Sequence, residues 1–230
     1  MEKLGTDYGG WYVPTNLNLD EKSIVYSGGV GEDISFDLVL SDKYKCNIFL
    51  IDPTKKSKIH FDEMKYYYDK NKWKLTGNIQ KDYYSVVYPL KPDFKKINFL
   101  DVGLWKEEDT LKFYKQKNPD YVSQSVIKNM FGEDYDTVSV NTIKNVMKLN
   151  GHEKIDLLKL DIEGAEVAVL TQMLDDEIYP TYLCVEFDLL LKRKDTYGET
   201  EKVIKTLLNM GYKVLAQAGL NITFKREKII

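Results

Sequence analysis

The stretch IDLLKLDIEGAE, Ile155 to Glu166, decides the fold. Its aliphatic run is the pattern of a strand covered on both faces, where a charged residue needs a reason to be present. Lys159 lies inside the run, and Asp161 and Glu163 follow its end, next to Gly164. A buried strand ending in carboxylates places polar groups at the carboxyl edge of a parallel sheet, where open α/β folds bind ligands. The segment therefore marks a site as well as a strand.

Working outward, strand and helix patterns alternate from about residue 23, which predicts βαβ units and a mostly parallel α/β sheet. SIVYSGG is a first strand closing on glycines, EDISFDLVLSDKY a helix, and CNIFLID a second strand. The Lys- and Tyr-rich segment 54–96 holds one predicted helix, SKIHFDEMKYYYDK, and an aromatic stretch, YYSVVY; it reads as an insertion on the acceptor side. INFLDVGLW is a third strand, LKFYKQKNPDYVSQSV an edge strand with a loop, and DTVSVNTIKNVMKLNG a helix stopped by Gly151. After IDLLKLD come the helix EVAVLTQMLDD, the strand YLCVEFD, the helix ETEKVIKTLLNMG ended by Gly211, and an antiparallel pair, YKVLAQAG with LNITFKR. Neither an internal repeat nor a linker divides the chain, so residues 1–230 read as one domain.

Composition agrees with one domain. The 230 residues are 43% hydrophobic and 30% charged, enough to bury one large core. A formal net charge of −3, without an arginine-rich stripe, disfavours a nucleic-acid partner. Cys46 and Cys184 each sit in an apolar run and read as small core residues, which suits a reducing compartment. No stretch has the length and apolarity of a membrane span, and the start lacks the basic and apolar regions of a signal peptide. The expectation is a soluble, cytoplasmic protein, in a cell or in the host of a virus that encodes it.

Between the first strand and its helix, Gly28, Gly29 and Gly31 let the backbone turn tightly and approach a ligand. The second strand ends in Asp52, on the order of 20 residues later, the spacing at which dinucleotide-type folds place a ribose-binding acid. The alternative for Asp52 is a turn residue before Pro53. Glu32 and Asp33 put negative charge where a pyrophosphate would need bare N–H groups, whereas a sulfonium and an ammonium tolerate it. S-adenosylmethionine therefore fits better than NAD.

The strings VYSGGVGEDISFD, FLIDPT, DVGLW and IDLLKLDIEGAE, in that order, resemble the FkbM family of S-adenosylmethionine-dependent methyltransferases, and the likeness extends through YLCVEF. The resemblance implies a Rossmann-like class I methyltransferase with a seven-stranded sheet whose final strand is reversed. It implies that Tyr26, Ser27, Gly28, Gly29, Val30, Gly31, Glu32 and Asp33 line the methionine end of the cofactor. Asp52 would hold the ribose, and Gly103, Leu104 and Trp105 would lie beside the adenine. It also implies a sugar acceptor in a glycan or glycoside, such as rhamnose. Alternatives are a non-sugar hydroxyl, a nucleic acid, or a subunit that binds the cofactor without turnover.

Alternation puts Lys159 and Asp161 on one face of their strand, and Glu186 and Asp188 on one face of YLCVEFD. If the faces coincide, Lys159 neutralises Glu186 while Asp161 and Asp188 reach the carboxyl edge. A carboxylate or histidine acting there as general base would add roughly 10²–10⁴-fold. Asp161, in contact with the cofactor, is the first candidate, followed by Glu186, Asp188 and His60. Asp161 and Glu186 are alternatively ligands for Mg²⁺ or Mn²⁺. Glu163 is either catalytic or a cap of the following helix. His152 is expected at the surface, opposite the cofactor edge; His60 is either a base or an exposed helix residue. Tyrosines from Tyr66 to Tyr88 either pack the segment or grip sugar rings.

Overall fold

A seven-stranded sheet forms the centre of the computed structural model, which describes residues 1–70, 74–118, 123–127, 132–189 and 197–227. Its strands are β3 (Ile24–Gly28), β4 (Asn47–Ile51), β5 (Ile97–Leu100), β10 (Leu157–Leu160), β11 (Tyr182–Glu186), β12 (Tyr212–Ala218) and β13 (Asn221–Arg226). In the order β12-β13-β11-β10-β3-β4-β5 all neighbours are parallel except those made by β13, which runs against β11 and β12. The helices are α1 (Ser35–Tyr44), α2 (Lys55–Tyr67), α3 (Tyr83–Val87), α4 (Ile143–Asn150), α5 (Glu166–Asp175) and α6 (Tyr197–Asn209).

Successive side chains on a strand point to opposite faces, and here both faces are covered. Val25, Ile48, Leu50, Leu157 and Cys184 enter one apolar layer with Phe36, Leu38 and Leu40 of α1, Phe61 and Met64 of α2, and Tyr83 and Val87 of α3. Tyr26, Phe49, Ile51, Leu158, Leu183 and Val185 enter the other, against α4, α5 and α6. Covered on both sides, β10 needs no polar alternation. Cys46 and Cys184 are buried free thiols, which burial pushes up to about 12. Among the described residues no helix is long and apolar enough to cross a membrane.

A second, four-stranded sheet, in the order β6-β9-β7-β8, is made from β6 (Gly103–Leu104), β7 (Asp109–Lys115), β8 (Gln124–Ser125) and β9 (Tyr135–Asn141). Two sequence expectations change here. INFLDVGLW is two strands in different sheets, β5 and β6. DTVSVNTIKNVMKLNG is not one helix: its first part belongs to β9, and α4 begins only after Thr142, whose side chain accepts from the N–H of Asn145. Alternating Thr and Val suit a strand, and threonine suits a helix cap. Gly151 ends α4 at φ 70°, as expected. YYSVVY forms α3 and packs Tyr83 and Val87 into the core, while Tyr66 and Tyr88 stay exposed. The first residues form a hairpin, β1 (Glu2–Leu4) with β2 (Trp11–Val13).

Candidate active site

The carboxyl ends of β3, β4 and β10 converge on an open cleft lined by Gly29, Asp52 and Asp161. The chain turns off β3 at Gly29, φ 70°, where a Cβ would stand 1.7 Å from the carbonyl oxygen of Asp161. Only glycine lets the two strand ends close to this distance. The Gly29 N–H donates to the carbonyl of Ile51 at 3.0 Å, and its own carbonyl accepts from Lys159. Asp52 holds the rest of the loop. One of its carboxylate oxygens accepts from the N–H groups of Val30 (2.9 Å) and Gly31 (3.1 Å), the other from the N–H (2.8 Å) and hydroxyl (2.7 Å) of Thr54.

Gly29, Val30, Gly31, Glu32, Asp33, Asp52, Gly103, Leu104 and Asp161 all line the cleft, as the sequence leads one to expect of a cofactor site. Gly28 lies behind it, in contact distance of the Leu104 side chain, and Ser27 is fully buried in the sheet. Three expected positions face elsewhere. Tyr26 points into the opposite layer, where its hydroxyl pairs with His152 Nδ1 at 2.8 Å. His152 is correspondingly half-buried, edge-on to Phe49, and not a free surface residue. Trp105 lines a different groove, beside α5 and α6, because its N–H is tied to the carbonyl of Asn141 at 2.9 Å. His60 is neither exposed nor among the cleft residues: it is buried, its Nε2 is 2.7 Å from the Tyr83 hydroxyl, and burial lowers it to about 4.

The acidic end of β10 is arranged differently from the expected Lys159–Glu186 pair. Parallel register puts Lys159 opposite Cys184 and Ser27. Lys159, 5% exposed, reaches the Gly29 carbonyl and lies 3.4 Å from Asp161 Oδ2. It also faces Asp37 of α1, which burial raises to about 6 against the pull of Lys159. Glu186 is hydrogen-bonded instead to Asp161. Burial, then the charge and hydrogen bond of Asp161, hold its carboxyl well above the usual carboxylate range. Glu186 therefore stays protonated at neutral pH beside Asp161, with Lys159 on the other side of Asp161. Asp188 is buried next, and its charge bears on both Glu186 and Glu166.

Ala165 is the N-cap of α5 and no side chain caps the helix, so Glu163 does not fill the capping alternative; Glu166 instead fixes the turn ahead of it. Its Oε1 accepts from the N–H groups of Ile162 (2.9 Å) and Gly164 (3.1 Å), pinning the turn ahead of α5. Glu163 sits inside that turn at φ 54°, with its carbonyl accepting from the Ser125 hydroxyl at 2.6 Å. Left-handed backbone at a non-glycine residue is strain that the surrounding bonds must hold. Glu166 is fully buried, and burial first, then the charge of Asp188, raises it to about 8. An acid whose folded value is raised gives stability that is complete below its unfolded value near 4.5 and lost as pH rises through 8. Glu166→Gln keeps the amide-accepting oxygen and removes that titration. Urea melts of the variant are expected to lose less stability than wild type between pH 5 and 8, by about 1 kcal/mol per pH unit; parallel profiles would refute it.

Sequence reasoning missed Tyr8. The segment between β1 and β2 crosses the glycine loop as a strap: the Thr6 N–H donates to Ser35 Oγ (2.9 Å), the Thr6 hydroxyl to Asp33 (2.5 Å), and the Gly9 N–H to the Thr6 hydroxyl (2.9 Å). Tyr8 and Gly9 thereby wall the cleft. Although the residue as a whole is 68% exposed, desolvation of its hydroxyl end, then the charges of Asp161, Glu163, Glu186 and Asp33, push the Tyr8 hydroxyl up to about 12. The only signal was a tyrosine beside two glycines, Gly9 and Gly10. The second sheet supplies Phe113, Ser123 and Gln124 to the far wall.

The donor set does not fit a hard divalent cation. Asp161 and Glu186 offer two carboxylates only, and among the described residues no group of three or more His, Cys, Asp or Glu is placed to hold a metal ion.

A glycine loop, an acid ending the second strand and a carboxyl pair at the sheet's carboxyl edge make a ligand site of the kind open α/β sheets carry. The model of the methyltransferase FkbM domain matches residues 29–214, most of the chain, and the chain belongs to this family. It is a methyltransferase. No curated protein matches it.

Proposed function

We propose that the chain transfers a methyl group from S-adenosylmethionine to a hydroxyl oxygen of a carbohydrate, in a Rossmann-like class I methyltransferase fold. The observation that carries the reading is the Asp161–Glu186 pair, set at the rim of a cleft whose other end is organised by Asp52 and the glycine loop. A reversed β13 beside β11 supports the fold class. Acidic Glu32 and Asp33 at the loop suit a donor with a sulfonium and an ammonium.

When bound, S-adenosylmethionine supplies an electrophilic methyl carbon. Asp161, held between Lys159 and the protonated Glu186, would take the proton of the acceptor hydroxyl, whose oxygen would gain the donor's methyl in its place, with the carbon–sulfur electron pair left on the donor's sulfur. Holding the oxygen in line with that bond contributes most of the rate. Glu186, kept protonated by burial, adds no second negative charge to the rim.

Incubating the protein with S-adenosylmethionine and a panel of rhamnosides, other glycosides and RNA is expected to give S-adenosylhomocysteine and a one-methyl mass gain on a glycoside. Donor binding without product on any acceptor would overturn the reading. The same assay with EDTA is expected to run at an undiminished rate; loss of turnover restored by Mg²⁺ or Mn²⁺ would give Asp161 and Glu186 the metal role instead.

A further inference from the structure

A second cleft, of about 200 Å³, opens beside the first and shares Tyr8, Glu32, Asp33 and Ser123 with it. Its remaining described walls are Asn78, Gln80 and Gln116. They come from two separate places in the chain, the connection between α2 and α3 and the end of β7. The Asn78 wall is fixed: its N–H donates to Glu32 Oε2 at 3.0 Å, and Gly77 comes so close that a Cβ would stand 2.0 Å from the Glu32 carboxylate. Gln80 is fixed from behind, its carbonyl accepting from the Tyr83 N–H at 3.1 Å.

We propose that this cleft is the acceptor subsite and that it takes a neutral, polyhydroxylated ring, excluding phosphorylated and nucleotide-activated sugars; the inference rests on the carbohydrate reading above. Primary amides offer both donors and an acceptor, which matches adjacent hydroxyls that are themselves both. Tyr8 adds an aromatic wall and is 68% exposed, so its ring is open to a ligand. Charge sets the exclusion. Among the described lining residues there is no Lys, Arg or His, while Glu32 and Asp33 put carboxylates at the junction with the donor cleft. A phosphate there would be repelled and, among the described lining residues, would meet no cation to neutralise it. Tyr8 borders both clefts and feels Asp161 and Glu186, so a ring seated against it lies towards the proton-accepting pair.

The test compares a methyl glycoside with the 1-phosphate and the nucleotide diphosphate of the same sugar, in wild type and in Gln116→Ala, Gln80→Ala and Gln116→Lys. The glycoside is expected to have the highest kcat/KM. Each alanine is expected to raise its KM roughly five- to tenfold, the loss of one hydrogen bond, with the S-adenosylmethionine Kd by calorimetry unchanged. Gln116→Lys is expected to narrow the gap between glycoside and phosphate. Better turnover of a phosphorylated acceptor, or an unchanged glycoside KM in both alanine variants, overturns the proposal. Donor binding with methyl transfer only to RNA or to a non-sugar overturns it together with the carbohydrate reading. A failure of S-adenosylmethionine to bind at all removes the donor reading first and is seen in the calorimetry alone.

Discussion

Asp161→Asn is expected to lower the methyl-transfer rate by roughly 10²–10⁴-fold, the range that a positioned general base supplies. The substitution keeps the size of the side chain and the backbone bond from the Asp161 N–H to the Gly28 carbonyl, 3.1 Å. It removes the proton acceptor and the charge that helps keep Glu186 protonated. Rapid-quench measurement of a single turnover separates this loss from product release, and calorimetry with S-adenosylmethionine separates it from donor binding, which is expected to change much less. Near-normal turnover would move the chemistry to another group. Lys159 would then still be held by the Gly29 carbonyl and by the charge of Asp37, so the variant should fold.

Gly29→Ala is expected to be the most damaging single change at the site, and it acts through structure. A Cβ at 1.7 Å from the Asp161 carbonyl cannot be accommodated by a rotamer change, because both atoms belong to strand ends fixed in the sheet. The ends of β3 and β10 must part, which costs the bond from the Asp161 N–H to the Gly28 carbonyl and the bond from Lys159 to the Gly29 carbonyl as well as the left-handed backbone penalty. We expect about 3–5 kcal/mol of lost stability in denaturant titrations, with loss of donor binding. Gly31→Ala is the control. Its φ is 54°, but nothing lies within 4 Å of its Cβ position, so only about 1 kcal/mol of backbone strain is expected. Equal effects of the two substitutions would show that strain, not the β3–β10 contact, makes glycine necessary.

The central sheet was legible because burial on both faces writes long apolar runs, as in IDLLKLD and YLCVEFD. The small sheet was not. The strand DTVSVN is mostly exposed or half-exposed, has only short alternation, and runs directly into the amphipathic pattern of α4, so a single helix absorbed it. At the site, parity put Lys159 with Asp161 on one face of their strand and Cys184 with Glu186 on one face of theirs, and left open whether the two faces coincide. Parity does not fix the stagger between neighbouring strands, and the stagger decides the partner: Cys184 stands opposite Lys159, which leaves Glu186 beside Asp161. Glu166 was passed over because it reads as the first residue of a helix, whereas its carboxyl turns back to the preceding loop. The approach of Tyr8 depends on hydrogen bonds between distant segments, which no local pattern encodes.

The strap carrying Tyr8 has a further anchor: the Thr223 hydroxyl of β13 donates to the carbonyl of Tyr12 at 2.7 Å, across 211 residues of sequence. Contacts of such separation bring loop-closure entropy that local strand and helix formation does not. The cleft's floor comes from β3, β4 and β10, but the strap on its outer wall is anchored only when the β1–β2 hairpin meets β13. We expect the cleft to be completed late in folding, so that a molecule with a formed central sheet and an undocked hairpin would have its core but only part of its site.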